Sequence, residues 1–196
     1  MNRTLAFASL LLLAACTWPF GTAENPDPNH THADFAVFVA GKEVDFGKDQ
    51  YMSGSASDPE HKGAKHTHLH LHDEIGTVLH RHKPGLKIGE FFKSIGFTMT
   101  NDCFGSEKDG GIVCSAPGKK WRMFVSGKEK PLDPGYVFVD LDRILLTYGS
   151  GEEQVQKELQ AVGKDACLYS RTCPWRGDPP AENCIADPAV PCVIPE

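Results

Sequence analysis

The chain has 196 residues, 40% of them hydrophobic, and a formal charge of −6. That length suits one or two small domains with a modest core. The acidic balance argues against nucleic acid, or an acidic lipid surface, as a partner. At the start of the chain, Arg3 precedes a short apolar run from Leu5 to Leu13. The run is too short to span a membrane as a helix and fits the apolar part of a signal segment, so residues 1–15 are read as lying outside the fold.

The run ends in Leu13-Ala14-Ala15-Cys16, which resembles a bacterial lipobox. The resemblance implies cleavage before Cys16, lipidation of that cysteine and an extracytoplasmic location in the cell envelope, anchored to a membrane by lipid. Residues 16–29 are then a Pro-rich, polar tether. Seven cysteines less Cys16 leave six, an even number suited to an oxidising compartment, so three disulfides are expected. Cys103 and Cys114 flank a Gly-rich loop and are natural partners. Cys167, Cys173, Cys184 and Cys192 lie in a Pro-rich tail that has too little apolar content to fold without crosslinks. Their pairing is open, since four cysteines allow three connectivities.

From residue 30 to 149 the pattern is that of one α+β domain. Phe35, Val37 and Val39 share one parity, and a turn at 40–43 leads to Val44 and Phe46. Residues 53–65 read as a loop. Residues 66–82 hold six of the nine histidines, all at even positions. Alternate side chains of a strand face the same way. A hairpin closing over Glu74-Ile75-Gly76, with Gly76 left-handed, would pair His70 with His80 and His68 with His82. That register puts His66, His68, His70, His72, His80 and His82 on one face and Leu69, Leu71 and Leu79 on the other. The leucine face is expected to pack inward and the histidine face to be at least partly wet.

Ile88, Phe91, Phe92 and Ile95 recur at helical spacing, with Gly96 as C-terminal cap. Strands are expected at Trp121–Val125, 137–139 and 144–148, with a turn at 126–129. Ser150 and Glu153 have capping-box spacing ahead of a helix over 150–163, whose stripe is Val155, Leu159 and Val162. Residues 164–196 form the Cys- and Pro-rich tail.

The segment 75–149 resembles the β-grasp arrangement of ubiquitin-like domains and sulfur carriers. The matching pieces are Ile88-Gly89-Glu90-Phe91-Phe92, Val125-Ser126-Gly127-Lys128 and Leu141-Asp142-Arg143-Ile144-Leu145-Leu146. The expected fold is therefore a β-grasp-like mixed sheet with hairpins and one packed helix, plus a C-terminal helix and a disulfide-rich tail. Sulfur carriers end in Gly-Gly, whereas this chain continues past Gly149-Ser150-Gly151, so a carrier function is not implied. The chain also resembles a group of small bacterial lipoproteins of unsettled role. That likeness is carried by His30-Thr31-His32-Ala33-Asp34-Phe35, His70-Leu71-His72-Asp73 with His80-Arg81-His82, Phe91 to Gly96, Asp140-Leu141-Asp142-Arg143, and Cys167 to Cys173-Pro174. Some members carry a protein-disulfide-isomerase label, for which these residues supply no physical basis.

Neutral imidazole ligates zinc, copper and nickel. Opposed positions in an antiparallel pair bring Cβ atoms to ~4.5–5.5 Å, close enough for two imidazoles to share an ion. His68, His70, His80 and His82 therefore form a candidate four-nitrogen patch. His66 and His72 extend it, and Asp73 is a carboxylate ligand or an acceptor for an imidazole N–H. His30 and His32 could complete the site if their strand neighbours the hairpin. By intrinsic affinity copper(II) ranks ahead of zinc. The reading is a metal-binding, membrane-tethered lipoprotein with no assigned protein partner. A zinc hydrolase using three histidines is the enzymatic alternative. Thiol–disulfide exchange lacks a Cys-x-x-Cys. A structural role through Trp18, Trp121 or Trp175 is a further alternative.

Overall fold

A computed structural model describes residues 23–53 and 65–180. The signal segment, Cys16, residues 17–22 of the tether, Cys184 and Cys192 lie outside the described residues.

The organising element is β1 (Thr31–Val39), buried along its whole length except at Val39. A strand covered on both faces needs apolar residues at both parities, and Ala33-Asp34-Phe35-Ala36-Val37-Phe38-Val39 largely supplies them. Ala40 and Gly41 turn the chain with φ of 50° and 79° into the short β2 (Lys42–Glu43). Then follow β3 (Leu69–His70), β4 (Val78–Arg81) and α1 (Ile88–Ser94). Next come β5 (Thr98–Met99), β6 (Cys103–Ser106), β7 (Gly111–Cys114), β8 (Trp121–Val125), β9 (Lys128–Lys130) and β10 (Arg143–Tyr148). Two helices close the described chain, α2 (Glu152–Ala161) and α3 (Ala166–Tyr169). None of the described helices is long and apolar enough to cross a membrane.

The main sheet runs β3-β4-β1-β10-β8-β9, with β2 also paired to β1. Its two central strands, β1 and β10, are parallel. The hairpin β3-β4 lies antiparallel beside β1, and β8-β9 lies antiparallel beside β10. The fold is thus α+β with a β-grasp-like strand order. The central strand at 31–39 lies outside the segment 75–149 on which the resemblance was read, so the grasp begins well before it. β5, β6 and β7 form a second small sheet, closed by the cross-strand disulfide Cys103–Cys114.

Side-chain parity divides the core. Ala33, Phe35 and Val37 of β1, with Leu69, Leu71, Leu79, Met123, Ile144 and Leu146, pack against α1 and the small sheet. Ile88, Phe91 and Phe92 of α1 are fully buried there. Burying one such side chain contributes about 1.5–3 kcal/mol. On the opposite face, Ala36, Phe38, Phe124 and Leu145 meet Val155 and Val162, which α2 and its end supply. Further along that face Val78 packs on Ala166 and Tyr169 of α3.

Several local expectations are corrected. Residues 137–139 are not a strand, because the Asp142 carboxylate takes the Val139 N–H (2.9 Å) and the Tyr136 hydroxyl (2.6 Å) and bends the segment into a loop. Lys128 and Glu129 belong to β9 rather than to a turn. Ser150 does not cap α2: Gly151 holds the cap position, and Ser150 Oγ instead donates to Glu158 Oε1 at 2.7 Å. The far end of α2 is capped by Arg143, whose guanidinium donates to the carbonyls of Leu159, Val162 and Gly163. In the histidine hairpin the left-handed residues are Asp73 (φ 56°) and Glu74 (φ 60°), not Gly76. Gly76 is required for another reason: a Cβ there would lie 2.2 Å from the Gly47 nitrogen.

Candidate metal centre

The anticipated register holds at its centre. His70 pairs with His80, and the His82 N–H donates to the His68 carbonyl at 2.9 Å. β1 adds the third strand, with His32 directly opposite His80. A row His32–His80–His70 therefore crosses three strands on one face of the sheet.

His30 joins it from the turn before β1. Asn25 Nδ2 donates to the His30 carbonyl at 2.9 Å, and the His30 N–H donates to the Asp27 carbonyl at 3.1 Å. This turn sets His30 Nε2 3.1 Å from His32 Nε2. One nitrogen from each of His30, His32 and His80 lies within 4.8 Å of the others. Around them the imidazoles continue: His72 Nε2 is 3.2 Å from His80 Nδ1, His82 stacks on His30 with centroids 4.0 Å apart, and His70 stacks on His82 at 5.0 Å.

The expectation of a partly wet face holds at its edge, where His66 and His68 are half-buried, while His70, His72, His80 and His82 are buried. His32 is 1% exposed and His80 fully buried. The cover is α3 and the residue after it. Tyr169 sets its ring 4.8 Å edge-on from His80, 5.5 Å from His32 and 6.2 Å from His72. Asp34 pins this cover in place: its carboxylate accepts the N–H of Asp165 at 2.8 Å and of Ala166 at 3.2 Å. Burial is the main cause that pushes the Asp34 carboxyl above the usual range, with those two backbone donors opposing it. His30, only half-buried, forms the accessible side of the cluster.

Hydrogen bonds assign the ring protons. Ser170 Oγ donates to Asp140 Oδ1 at 2.6 Å and so accepts from His32 Nδ1 at 2.8 Å. The His32 backbone N–H binds the same Asp140 oxygen at 2.9 Å. His32 therefore carries its proton on Nδ1 and turns a lone pair at Nε2 towards His30. On the other side Asp73 Oδ2 accepts from His72 Nδ1 at 2.8 Å. His72 Nε2 is then the acceptor for His80 Nδ1–H, which leaves the His80 lone pair on Nε2. Two chains, Asp140–Ser170–His32 and Asp73–His72–His80, thus end in imidazoles of the three-histidine cluster, each fixed in orientation and tautomer by a carboxylate.

These nitrogens suit a transition-metal ion. Imidazole bonds such ions at ~2.0–2.1 Å, which puts two nitrogens of a tetrahedral set ~3.3 Å apart. The His30–His32 separation of 3.1 Å is close to that value. A histidine triad that could hold a metal is thereby formed by His30, His32 and His80.

Other anticipated residues take different places. Asp73 is the acceptor for His72. His70 Nδ1 lies 3.2 Å from the His66 carbonyl. His66 is only half-buried, and its pKa is lowered, first by burial, with Glu90 of α1 opposing. Neither His66 nor His68 belongs to the triad. Cys167 pairs with Cys173. Sequence reasoning missed Tyr169, Ser170, Asp140 and Asp34. Asp34 carried a signal as a lone acid within the apolar run 33–39, and Asp140 as part of the Asp140-Leu141-Asp142-Arg143 motif.

Three cavities of about 420, 410 and 250 Å³ lie elsewhere, and no histidine lines them. Comparisons with protein-family models, curated proteins and solved structures find no match.

Proposed function

We propose that this protein is an exported, lipid-anchored component of the cell envelope that holds a transition-metal ion, copper(II) ahead of zinc, in its buried histidine site. The observation that carries the reading is the convergence of His30, His32 and His80, with two of the three rings oriented by carboxylate-terminated chains. An isolated surface histidine has no need of such support. The site offers nitrogen alone, which suits copper(II) and zinc better than copper(I).

Export is supported by the lipobox-like Leu13-Ala14-Ala15-Cys16 and by two disulfides among the described residues. The resemblance to small bacterial lipoproteins gains weight from where its motif residues fall. His30, His32 and Asp34, His72 and Asp73, His80, Asp140, and the Cys167–Cys173 segment are distant in sequence and meet around one site.

Three imidazoles would also leave a fourth position for water, as in hydrolytic zinc sites. Asp73, a candidate base by its place in the sequence, is committed to His72, and the described cavities lie elsewhere. Binding therefore ranks before catalysis. The test is calorimetry on the protein without a histidine tag, titrated with copper(II) and with zinc. The expected result is saturable uptake of about one ion, lost when His30, His32 and His80 are changed together to Ala and kept when His66 and His68 are. Undiminished binding by the triple variant would sink the reading.

A further inference from the structure

The strands supply the imidazoles, but the groups that cover and orient them come from one small loop. Tyr169 and Ser170 both lie inside the segment closed by the Cys167–Cys173 disulfide. Ser170 holds His32 Nδ1, and the Tyr169 ring lies against His80 and His32. At the entry to the loop, Asp34 fixes Asp165 and Ala166. Inside it the chain turns tightly: the Thr172 N–H donates to the Cys167 carbonyl at 2.9 Å, and Arg171 adopts φ of 55°, a conformation a non-glycine residue resists. The disulfide is the covalent tie that holds the loop's exit against its entry.

We propose that the Cys167–Cys173 disulfide is a redox latch on the histidine site. This rests on the metal-binding reading. Closed, it keeps Ser170 on His32 and Tyr169 over the cluster, and the ion is retained. Opened, it frees the loop, and the ion is given up. The reductant is an external dithiol. One of its thiolates attacks Cys167 Sγ, which is less buried than Cys173; the S–S bond breaks and Cys173 Sγ leaves with the electron pair and takes up a proton. The second thiolate of the reductant attacks its own sulfur in the mixed disulfide. Cys167 then leaves as a thiolate, and the reductant ends as a disulfide, two electrons poorer. Arg176 is placed to favour that departure: its Nη1 lies 3.7 Å from Cys167 Sγ, and the guanidinium is held by Asp165 at 2.7 Å. Linkage makes the effect reciprocal, so bound metal must make the disulfide harder to reduce.

The test measures zinc affinity by competition with a chromogenic chelator, on the oxidised protein, on protein reduced with a phosphine that is then removed, and on the Cys167→Ala/Cys173→Ala variant. Loss of the oriented support for His32 predicts about ten- to hundredfold weaker binding in the last two. The Cys103→Ser/Cys114→Ser variant should bind as the unaltered protein does, because that disulfide lies in the small sheet. If the Cys167→Ala/Cys173→Ala variant does not fold, the equilibrium of Cys167–Cys173 reduction in a thiol–disulfide buffer decides: saturating zinc should shift the oxidised-to-reduced ratio of unaltered protein at least tenfold towards the disulfide. Equal affinity in the oxidised and reduced states, or a reduction equilibrium indifferent to zinc, overturns the latch and leaves the metal site standing. Absence of zinc binding in every state, together with no copper(II) binding by the oxidised protein, overturns the metal site, and the latch with it.

Discussion

Ser170 Oγ accepts a hydrogen bond from His32 Nδ1 at 2.8 Å, across a sequence separation of 138 residues. Ser170 is almost completely buried, and its own proton goes to Asp140. The hydroxyl therefore acts as a fixed acceptor that determines which nitrogen of His32 carries the lone pair.

Ser170→Ala should weaken metal binding by about ten- to hundredfold while lowering stability by only about 1 kcal/mol. Chelator competition and thermal unfolding, run on the same samples, separate the two effects. Equal losses in binding and folding would reduce Ser170 to a packing residue.

At neutral pH, metal entry should switch the tautomer of His30 with no net proton release from that ring. Without an ion, His30 Nε2 is the donor to the His32 lone pair, so ligation through Nε2 moves the ring proton to Nδ1. Calorimetry in two buffers of different ionisation enthalpy should give the same heat of binding. Affinity should also fall as the pH drops, because protons compete with the ion for the imidazole nitrogens.

Asp34→Asn should make the protein relatively more stable at higher pH. Burial raises the carboxyl in the folded state above its ordinary 3.8, so the native state holds that proton more tightly than the unfolded chain does. The stabilising contribution of the protonated form is complete below 3.8 and is lost as the pH rises through the raised value. The difference in unfolding free energy, variant minus unaltered protein, should therefore climb from pH 4 upwards in urea titrations. A flat difference would contradict the assignment.

Gly76→Ala should destabilise by about 1–3 kcal/mol or more, since the added methyl meets the Phe46–Gly47 peptide at 2.2–2.4 Å. Gly151→Ala, at an open position with negative φ, is the matched control and should change little. Equilibrium unfolding of both variants checks the contrast.

The division of Leu69, Leu71 and Leu79 from His70, His80 and His82 was legible because strand parity is set by local geometry, and the opposition of His70 and His80 followed from it. The burial of those histidines was not legible. It depends on a four-residue helix too short to show periodicity, and on Asp34 catching backbone N–H groups 131 residues further on. The fold was read from 75–149 because its helix and acidic turn are local patterns. β1 was missed as the central strand because its parallel partner, β10, is more than a hundred residues away. Glycine's tolerance of the left-handed region points to a turn at Gly76, whereas its constraint comes from the neighbouring Gly47 backbone.

The parallel pairing of β1 with β10 also has a consequence for the order of assembly. During synthesis His30 and His32 leave the ribosome long before Asp140 and Ser170 exist, and contacts that distant in sequence form late. A half-made chain offers only short His-x-His pairs, with neither cover nor fixed tautomers. If the proposed site holds an ion, tight uptake belongs to the finished polypeptide, and an ion held there marks a molecule that has completed its folding.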